Sequence, residues 1–296
     1  MTTTSDPRSR ASFRFTDRLR VRWAEVDAQK IVFNGHYLTY VDTAMGAYWR
    51  ALALPYEASI AALGGDLFLR KAALDYDAPA RYDDVLEVGM RFEGAGSSSL
   101  RFATAVYRAD EPKAPLVRGE LVYVWTDAAT RRPQPVPEAL LATLRAFEAG
   151  DPMVTVRVGD WATLAAQATP LRTAVFVEEQ GVPAELEMDA ADATAVHAVA
   201  VNRLGRALAT GRLLTSDEPG MARVGRMAVD RALRGSGVGR QVLDALMAAA
   251  RARGDRAVML HAQQSAIGFY TRAGYQPRGP IFEEAGIPHL EMVKAL

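Results

Sequence analysis

Six consecutive residues, Arg234, Gly235, Ser236, Gly237, Val238 and Gly239, carry the plainest chemical signal in the chain. A strand-like run, 224–229, leads into them. A helical pattern follows, with Val242, Leu243 and Leu246 on one stripe. A strand, a glycine turn and a helix start together make an anion cradle. Glycine lets the chain turn tightly, several N–H groups point into one space, and the helix dipole adds partial positive charge. A phosphate or pyrophosphate is the natural guest. The spacing is Arg-x-x-Gly-x-Gly, which is neither the Gly-x-Gly-x-x-Gly of a dinucleotide site nor the Gly-Lys-Ser/Thr of a P-loop. Taken alone, such a loop also serves as an ordinary turn. Other chemistries are narrowed by absence. There is no cysteine, so thiolate nucleophiles and disulfides drop out. The four histidines, His36, His197, His261 and His289, stand far apart with no ligand pair among them, and no metal is expected.

The elements that must hold this loop are set by length and punctuation. At roughly 100–200 residues per domain, 296 residues suggest two domains. A hydrophobic content of 49% is ordinary for a globular chain. The 35 basic residues balance 35 acidic ones, which argues against a nucleic-acid or membrane-surface binder. No run of about 18 apolar residues occurs, and the polar start of the chain is no signal peptide, so the expected location is the cytoplasm. Residues 1–14 read as a flexible N-terminus. The helical pattern 138–148 is broken by Ala149, Gly150, Asp151 and Pro152, which places a boundary near 150 and gives domains 15–150 and 151–296.

In the first domain a strand, 15–23, and a loop, 25–30, precede a long helical pattern. Tyr37, Leu38, Val41, Ala44, Met45, Tyr48 and Trp49 share its stripe. Beyond Pro55 the chain turns strand-rich, with candidate strands 67–76, 85–92, 100–107 and 116–126. One long helix followed by an antiparallel meander suggests a helix wrapped by a sheet. With Val21-Arg22-Trp23-Ala24-Glu25-Val26-Asp27, then Ile31-Val32-Phe33 and Tyr37-Leu38, this stretch resembles the hotdog acyl-CoA thioesterases of the 4-hydroxybenzoyl-CoA thioesterase and YbgC-like group. The resemblance implies that Asp27 is the catalytic carboxylate. It implies that the helix N-terminus at Asn34, Gly35 and His36 polarises the thioester carbonyl, and that the domain forms a homo-oligomer. The chemistry is coherent: hydrolysis needs a carboxylate to activate water or attack, and N–H donors for the oxyanion. Asp27 as a mere turn cap, and Asn34 as a simple helix cap, stay open. Glu25 is a spare carboxylate. The stretch departs from its family where relatives carry glycine at the Lys30 position and some carry histidine at the Asn34 position.

The second domain mixes strands and helices. Strand 153–158, helix 161–177, a hairpin of 196–201 with 206–214, strand 223–229, helix 239–253, strand 257–261, a short helix 265–273 and a last strand 289–294 follow in order. Phe176-Val177-Glu178-Glu179-Gln180, Gly211-Arg212-Leu213, the 234–239 loop, Ala266-Ile267-Gly268-Phe269-Tyr270 and Gly286-Ile287-Pro288-His289 together resemble the GNAT N-acetyltransferases, most closely the ElaA-like branch. The resemblance implies a mixed sheet with flanking helices and acetyl transfer from acetyl-CoA to an amine. It implies that the loop N–H groups hold the pyrophosphate, helped by Arg234. The backbone at Met227 and Val229 would pair with the pantetheine, and Tyr270 would protonate the leaving thiolate. Glu179 and His261 are the alternative acceptor bases. Tyr270 and His197 also read as core residues, and Arg240 as a second phosphate contact or a solvated one.

The chain thus reads as an α+β, two-domain enzyme acting on small-molecule acyl-CoA and amine substrates. A second reading leaves only the acetyltransferase active and makes the hotdog domain an oligomerising or acyl-CoA-sensing module. A hydratase reading of that domain is weak, because His36 is its one histidine. Tyr37, Tyr40, Tyr48 and Trp49 suit either an aryl pocket or a core.

Overall fold

The computed structural model describes residues 9–296. It divides into two units, Met1–Met153 and Val154–Leu296. Of the stretch expected to be flexible, 1–8 lies outside the described residues. Residues 9–14 differ from that expectation: a turn at Arg10–Ser12 lays the buried Phe13 ring against Ala105 and Tyr107. Phe13 also covers Gly89, where a Cβ would come within 2.6 Å of the ring.

The first unit follows from one buried helix. Strand β1 (Phe15–Arg20) leads to helix α1 (Asn34–Ala51), then to a short helix α2 (Tyr56–Ala62). Strands β2 (Gly65–Tyr76), β3 (Val85–Ala95), β4 (Ser99–Arg108) and β5 (Val117–Asp127) follow, and helix α3 (Glu138–Ala149) closes the unit. The sheet order is β1-β3-β4-β5-β2, antiparallel throughout. Tyr37, Tyr40, Val41, Ala44, Met45, Tyr48 and Trp49 of α1 are buried. Leu86, Val88 and Met90 on β3 and Phe102 and Val106 on β4 are buried, and Phe13 covers the opposite face at Gly89, Ala105 and Tyr107. This is the hotdog arrangement. The four aromatics that suited an aryl pocket are core residues. Tyr37 Oη accepts from the Ala80 N–H at 2.9 Å, and Tyr48 Oη donates to Glu148 at 2.6 Å. Helix α2 was not expected. Seven residues after Pro55 are too few for a clear helical period.

The second unit contains strand β6 (Val154–Gly159), helices α4 (Trp161–Arg172) and α5 (Ala184–Glu187), and strands β7 (Val196–Asn202), β8 (Ala207–Thr215) and β9 (Met221–Val229). Helix α6 (Val238–Arg253), strand β10 (Ala257–Gln263), helix α7 (Ile267–Arg272) and strands β11 (Gln276–Glu284) and β12 (Ile287–Ala295) complete it. The seven strands run β11-β12-β10-β9-β8-β7-β6. Only β9 and β10 are parallel; their register runs from Met221 opposite Ala257 to Val224 opposite Leu260 and stops there. The strands part beyond that point. On its other edge β9 has one residue more than β8 between two paired positions, so Arg226 and Met227 form a bulge, with Arg226 at φ 51°. Strand β11 was missed because Pro277, Gly279 and Pro280 read as loop. They are tolerated because β11 is the edge strand. The expected long helix 161–177 ends earlier as α-helix. Pro170 lacks an N–H, and the chain widens into a π-type turn over Thr173–Glu179.

A largely buried network of six charges, with Arg226 and Asp189 part-exposed at its edge, holds this unit's centre. Arg172 donates to Glu187 at 2.6 Å and to Asp192 at 2.8 Å. Arg212 donates to Asp192 at 2.8 Å and grips Asp189 with both terminal nitrogens, at 2.6 and 2.7 Å. Arg226, on the bulge, reaches Glu187 at 2.9 Å and Asp189 at 3.0 Å. Three guanidinium groups thus face three carboxylates. His197, read as structural, sits beside them. Burial holds its pKa below the usual histidine value, and its Nε2 is 2.9 Å from the Asp192 carbonyl oxygen. Truncating one partner of such a set strands the others without solvent, at a cost of about 3–5 kcal/mol. Arg172→Met is expected to lower the urea stability of the second unit by about that amount. Arg172→Lys should not restore it, because a lysine cannot serve Glu187 and Asp192 with one planar fork.

Candidate active sites

The parting of β9 from β10 opens a cleft of about 440 Å³ in the second unit. Its walls come from Gly225, Arg226 and Met227 of β9, His261 and Gln263 of β10, Tyr270 of α7, Phe176 and Gln180 of the π-type turn, and Glu284 and His289 beside the β11–β12 turn. Gln263 donates to Gln180 at 2.8 Å and ties the two sides together. With β10 gone, residues 225–229 have a strand neighbour only in β8. That leaves backbone at Met227 for an extended guest to pair with, while the Val229 carbonyl accepts from Arg234 Nε at 3.3 Å. Tyr270 is buried, and its hydroxyl makes no hydrogen bond to protein among the described residues. Burial raises its pKa, so it stays a proton donor.

The glycine loop makes the tight turn that its spacing suggests. Gly235 and Gly237 adopt φ of 85° and 90°, which only glycine takes without strain. Gly239 lets α6 close on β9, since a Cβ there would meet Val229 at 2.9 Å. The N–H groups of Gly235, Gly237, Val238 and Gly239 have no protein acceptor among the described residues. Ser236 differs from expectation: its N–H and its hydroxyl both donate to the Leu233 carbonyl, at 3.1 and 2.7 Å, so it shapes the loop instead of offering a donor.

Arg234 and Glu179 are brought to each other rather than to the cleft. Both terminal nitrogens of Arg234 donate to Glu179, at 2.6 and 2.7 Å. That hydrogen bonding holds the carboxyl below the usual glutamate range, and Glu179 lines a different hollow, with Arg206 and Arg231. A carboxylate so paired is a weaker base, and of the two base candidates it is His261 that lines the cleft. Arg240 bonds to Asp244 at 2.8 Å. Tyr275 is fully buried, with its hydroxyl on Met247.

In the first unit, Val26 and Val32 bridge across a tight turn that carries Asp27. The Asp27 N–H donates to the Ile31 carbonyl at 2.9 Å, and Asp27 Oδ1 accepts from the Gln29 N–H at 2.8 Å, leaving Oδ2 for other work. Lys30 sits at φ 61°, which explains on steric grounds why glycine suits that position. The Phe33 N–H donates to the Glu25 carbonyl at 3.0 Å, stitching the helix start to the turn. Phe33, not Asn34, is the N-cap of α1. The N–H groups of Asn34 and Gly35 have no protein acceptor among the described residues, as expected of a first helical turn, whereas the His36 N–H donates back to the Phe33 carbonyl at 2.9 Å. The His36 ring stands edge-on to Phe33, 6.0 Å away. Glu25 is a structural carboxylate: buried, it accepts from the Arg22 N–H, the Arg22 guanidinium and the Tyr40 hydroxyl, each at 2.7 Å. Burial pushes its pKa up, but these donors outweigh burial and hold it below the usual range.

The residues that sequence reasoning left without a role are Glu284 and the six-charge network. Gly211-Arg212-Leu213 was the available signal for the latter, since an arginine inside an apolar strand demands buried partners. Among the described residues no group of three or more His, Cys, Asp or Glu could hold a metal ion.

Two family models match the chain. One, for the acetyltransferase (GNAT) domain, matches residues 164–296; the other, for the thioesterase-like superfamily, matches 21–144. Over 125 residues the chain is 37% identical to YjcF, an uncharacterized N-acetyltransferase of Bacillus subtilis, which spans 42% of this chain and 87% of that protein. Over 96 residues it is 33% identical to an Aquifex aeolicus protein named only as a candidate esterase, 32% of this chain and 74% of that one. The crystal structure of Escherichia coli ElaA is similar at 29% identity and a TM-score of 0.44, over 48% of this chain and 99% of that one.

Glu25 yields a pH signature. Its folded pKa lies below its unfolded one, so its contribution is present above the ordinary glutamate range and is lost as pH falls through the folded value. Glu25→Gln is expected to destabilise the first unit by about 1–3 kcal/mol at pH 7. The gap in melting temperature between variant and wild type should then close below about pH 4.

Proposed function

Because the first half of the chain belongs to the thioesterase-like superfamily and the second to the GNAT acetyltransferases, we propose that it is a bifunctional enzyme of coenzyme A thioesters. The second unit transfers acetyl from acetyl-CoA to an amine. The first hydrolyses an acyl-CoA. The observation that carries the reading is the cleft: a strand edge left unpaired, an unbonded tyrosine hydroxyl inside it, and four free N–H groups on the glycine loop.

In acetyl transfer, the loop N–H groups of Gly235, Gly237, Val238 and Gly239 hold the pyrophosphate, and the pantetheine lies along β9. Holding amine and thioester together removes the need for a covalent intermediate. The amine nitrogen forms a bond to the acetyl carbon and gives its proton to His261. The C–S bond breaks, and Tyr270 gives its proton to the thiolate; solvent returns a proton from His261 to Tyr270. In hydrolysis, Asp27 takes a proton from water as it attacks the thioester carbonyl, and the Asn34 and Gly35 N–H groups receive the oxyanion; the adduct then collapses, the C–S bond breaks, and the Asp27 carboxyl gives its proton to the departing CoA thiolate. The first unit pairs with a second copy. Its twelve-residue edge strand β2 exposes Phe68 and Leu69, and an open edge of that length is a template for association.

A second reading makes the first unit an acyl-CoA-binding module without turnover. The bond from Gln29 to Asp27 favours it, because a carboxylate engaged by its own turn is a weaker base.

The test is CoA release from acetyl-, medium-chain and aryl-CoA esters without amine. At least one ester should be hydrolysed, and Asp27→Asn, which keeps the acceptor for Gln29, should abolish that hydrolysis while CoA still binds. Binding of every ester with no release would establish the second reading. For the second unit, Tyr270→Phe is expected to lower kcat for acetyl transfer on the order of 10²-fold with little change in KM for acetyl-CoA.

A further inference from the structure

His261 lies one residue beyond the last β10 position paired with β9, while still paired with Glu291 of β12. It faces the cleft beside groups from three strands: Arg223 on β9, Glu284 on β11, and Glu291 and His289 on β12. Its Nδ1 lies 2.8 Å from Glu284 Oε2 and 3.1 Å from Arg223 Nη2. These neighbours make opposite demands. Glu284 can only accept, so it needs a proton on Nδ1. Arg223 can only donate, so it needs Nδ1 bare. A neutral imidazole satisfies one of them, and the choice fixes which nitrogen carries the lone pair. With Nδ1–H, the bare atom is Nε2. With Nδ1 bare, Nε2 carries the proton and the ring has no basic atom for a substrate.

The geometry favours Glu284. Its bond is the shorter one and joins an N–H to a carboxylate, the stronger kind of pair. The carboxyl stays ionised: burial raises its pKa, but the His261 hydrogen bond and the nearby positive groups, Arg223 among them, outweigh burial. The ring itself is held in place. Phe282 meets it edge-on at 4.7 Å, and His289 stacks on Phe282 at 6.1 Å. The Nε2 atom is 3.9 Å from Glu291 Oε2, too far for a hydrogen bond. Glu291 is itself bonded to Arg278. Nε2 therefore has no protein partner competing for its lone pair.

We propose that Glu284 is a positioning residue that holds His261 in the tautomer protonated on Nδ1, against Arg223, and so leaves Nε2 bare to take the proton of an amine bound in the cleft. The use made of that tautomer rests on the acetyl-transfer reading; the tautomer itself does not. A Glu284→Gln variant keeps the shape but offers an amide in place of the anion, and Arg223 then captures Nδ1. A proton on Nε2 follows, and the base is lost without any change in the acetyl-CoA cradle.

The experiment is long-range ¹H–¹⁵N correlation of the imidazole nitrogens in the full-length protein above pH 8, with His261 assigned by its loss in His261→Gln. Wild type should show the Nδ1–H form, Glu284→Gln the Nε2–H form, and Glu284→Gln with Arg223→Gln a return toward Nδ1–H. An Nε2–H wild type, or identical tautomers in wild type and Glu284→Gln, overturns the proposal. Acetyl transfer from acetyl-CoA to n-butylamine reads the consequence separately. Glu284→Gln should lose on the order of 10²-fold in kcat, with KM for acetyl-CoA held. A tautomer switch in a protein that transfers acetyl to no amine would leave Glu284's role intact and sink the acetyltransferase reading instead.

Discussion

The second unit depends on one event in its sheet, the parting of β9 from β10 beyond Val224 and Leu260. Two parallel strands that stayed paired would leave no room for a ligand and no free backbone edge. Parting them exposes polar backbone, which must be compensated elsewhere. The bulge at Arg226 and Met227 re-aims β9, and the Arg226 side chain anchors the bent segment to Glu187 and Asp189. On the far side, Gln263 bonds to Gln180 and fixes the splayed end of β10. The cleft is thus held open by side chains that do not themselves do chemistry. The glycine loop then continues from the end of the bent strand, so the anion cradle and the open edge share one origin.

Charge does two different jobs in the molecule. In the six-charge network every ion has a partner, and exposure is low. Such sets add little net stability compared with apolar packing, but they permit few alternative arrangements. That suits a place where the bulge, the segment at 184–193 and the start of the π-type turn must keep a fixed relation. Around His261 the charges are partly exposed and their hydrogen bonds compete. The Glu25 cluster of the first unit belongs to the former kind: one buried carboxylate binds the Arg22 turn to α1 through Tyr40 and so fixes the segment that delivers Asp27. In the first unit the ionic knot stands beside the candidate chemistry; in the second, Arg226 and Glu187 of the network also line the cleft wall.

Much of this was legible in the residues. The strand, loop and helix around 224–253 were set by hydrophobic period and by glycines whose conformations leave no alternative, and α1 announced itself by its stripe of aromatics. The cleft's membership was harder to read. Glu179 and Arg234 are far apart in sequence, and each looked fit for a chemical role. Only the folded chain shows that they satisfy one another. Glu284 escaped notice because it ends a strand whose two prolines and glycine disguised it as loop. The Ser236 N–H looked as available as its neighbours until the tight turn consumed it. These misses share a cause: long-range pairing of polar groups leaves no periodic trace in a sequence, whereas burial of apolar ones does.

The central claim is that each half of the chain receives a coenzyme A thioester. Calorimetric titration of the full-length protein with a non-hydrolysable acyl-CoA analogue tests it most directly, because it counts sites without requiring turnover. The account requires two saturable sites per chain. Only one should survive in Gly237→Val, whose side chain conflicts with the left-handed backbone of the cradle. A single site in the wild type, or two sites undisturbed by the loop substitution, would contradict it.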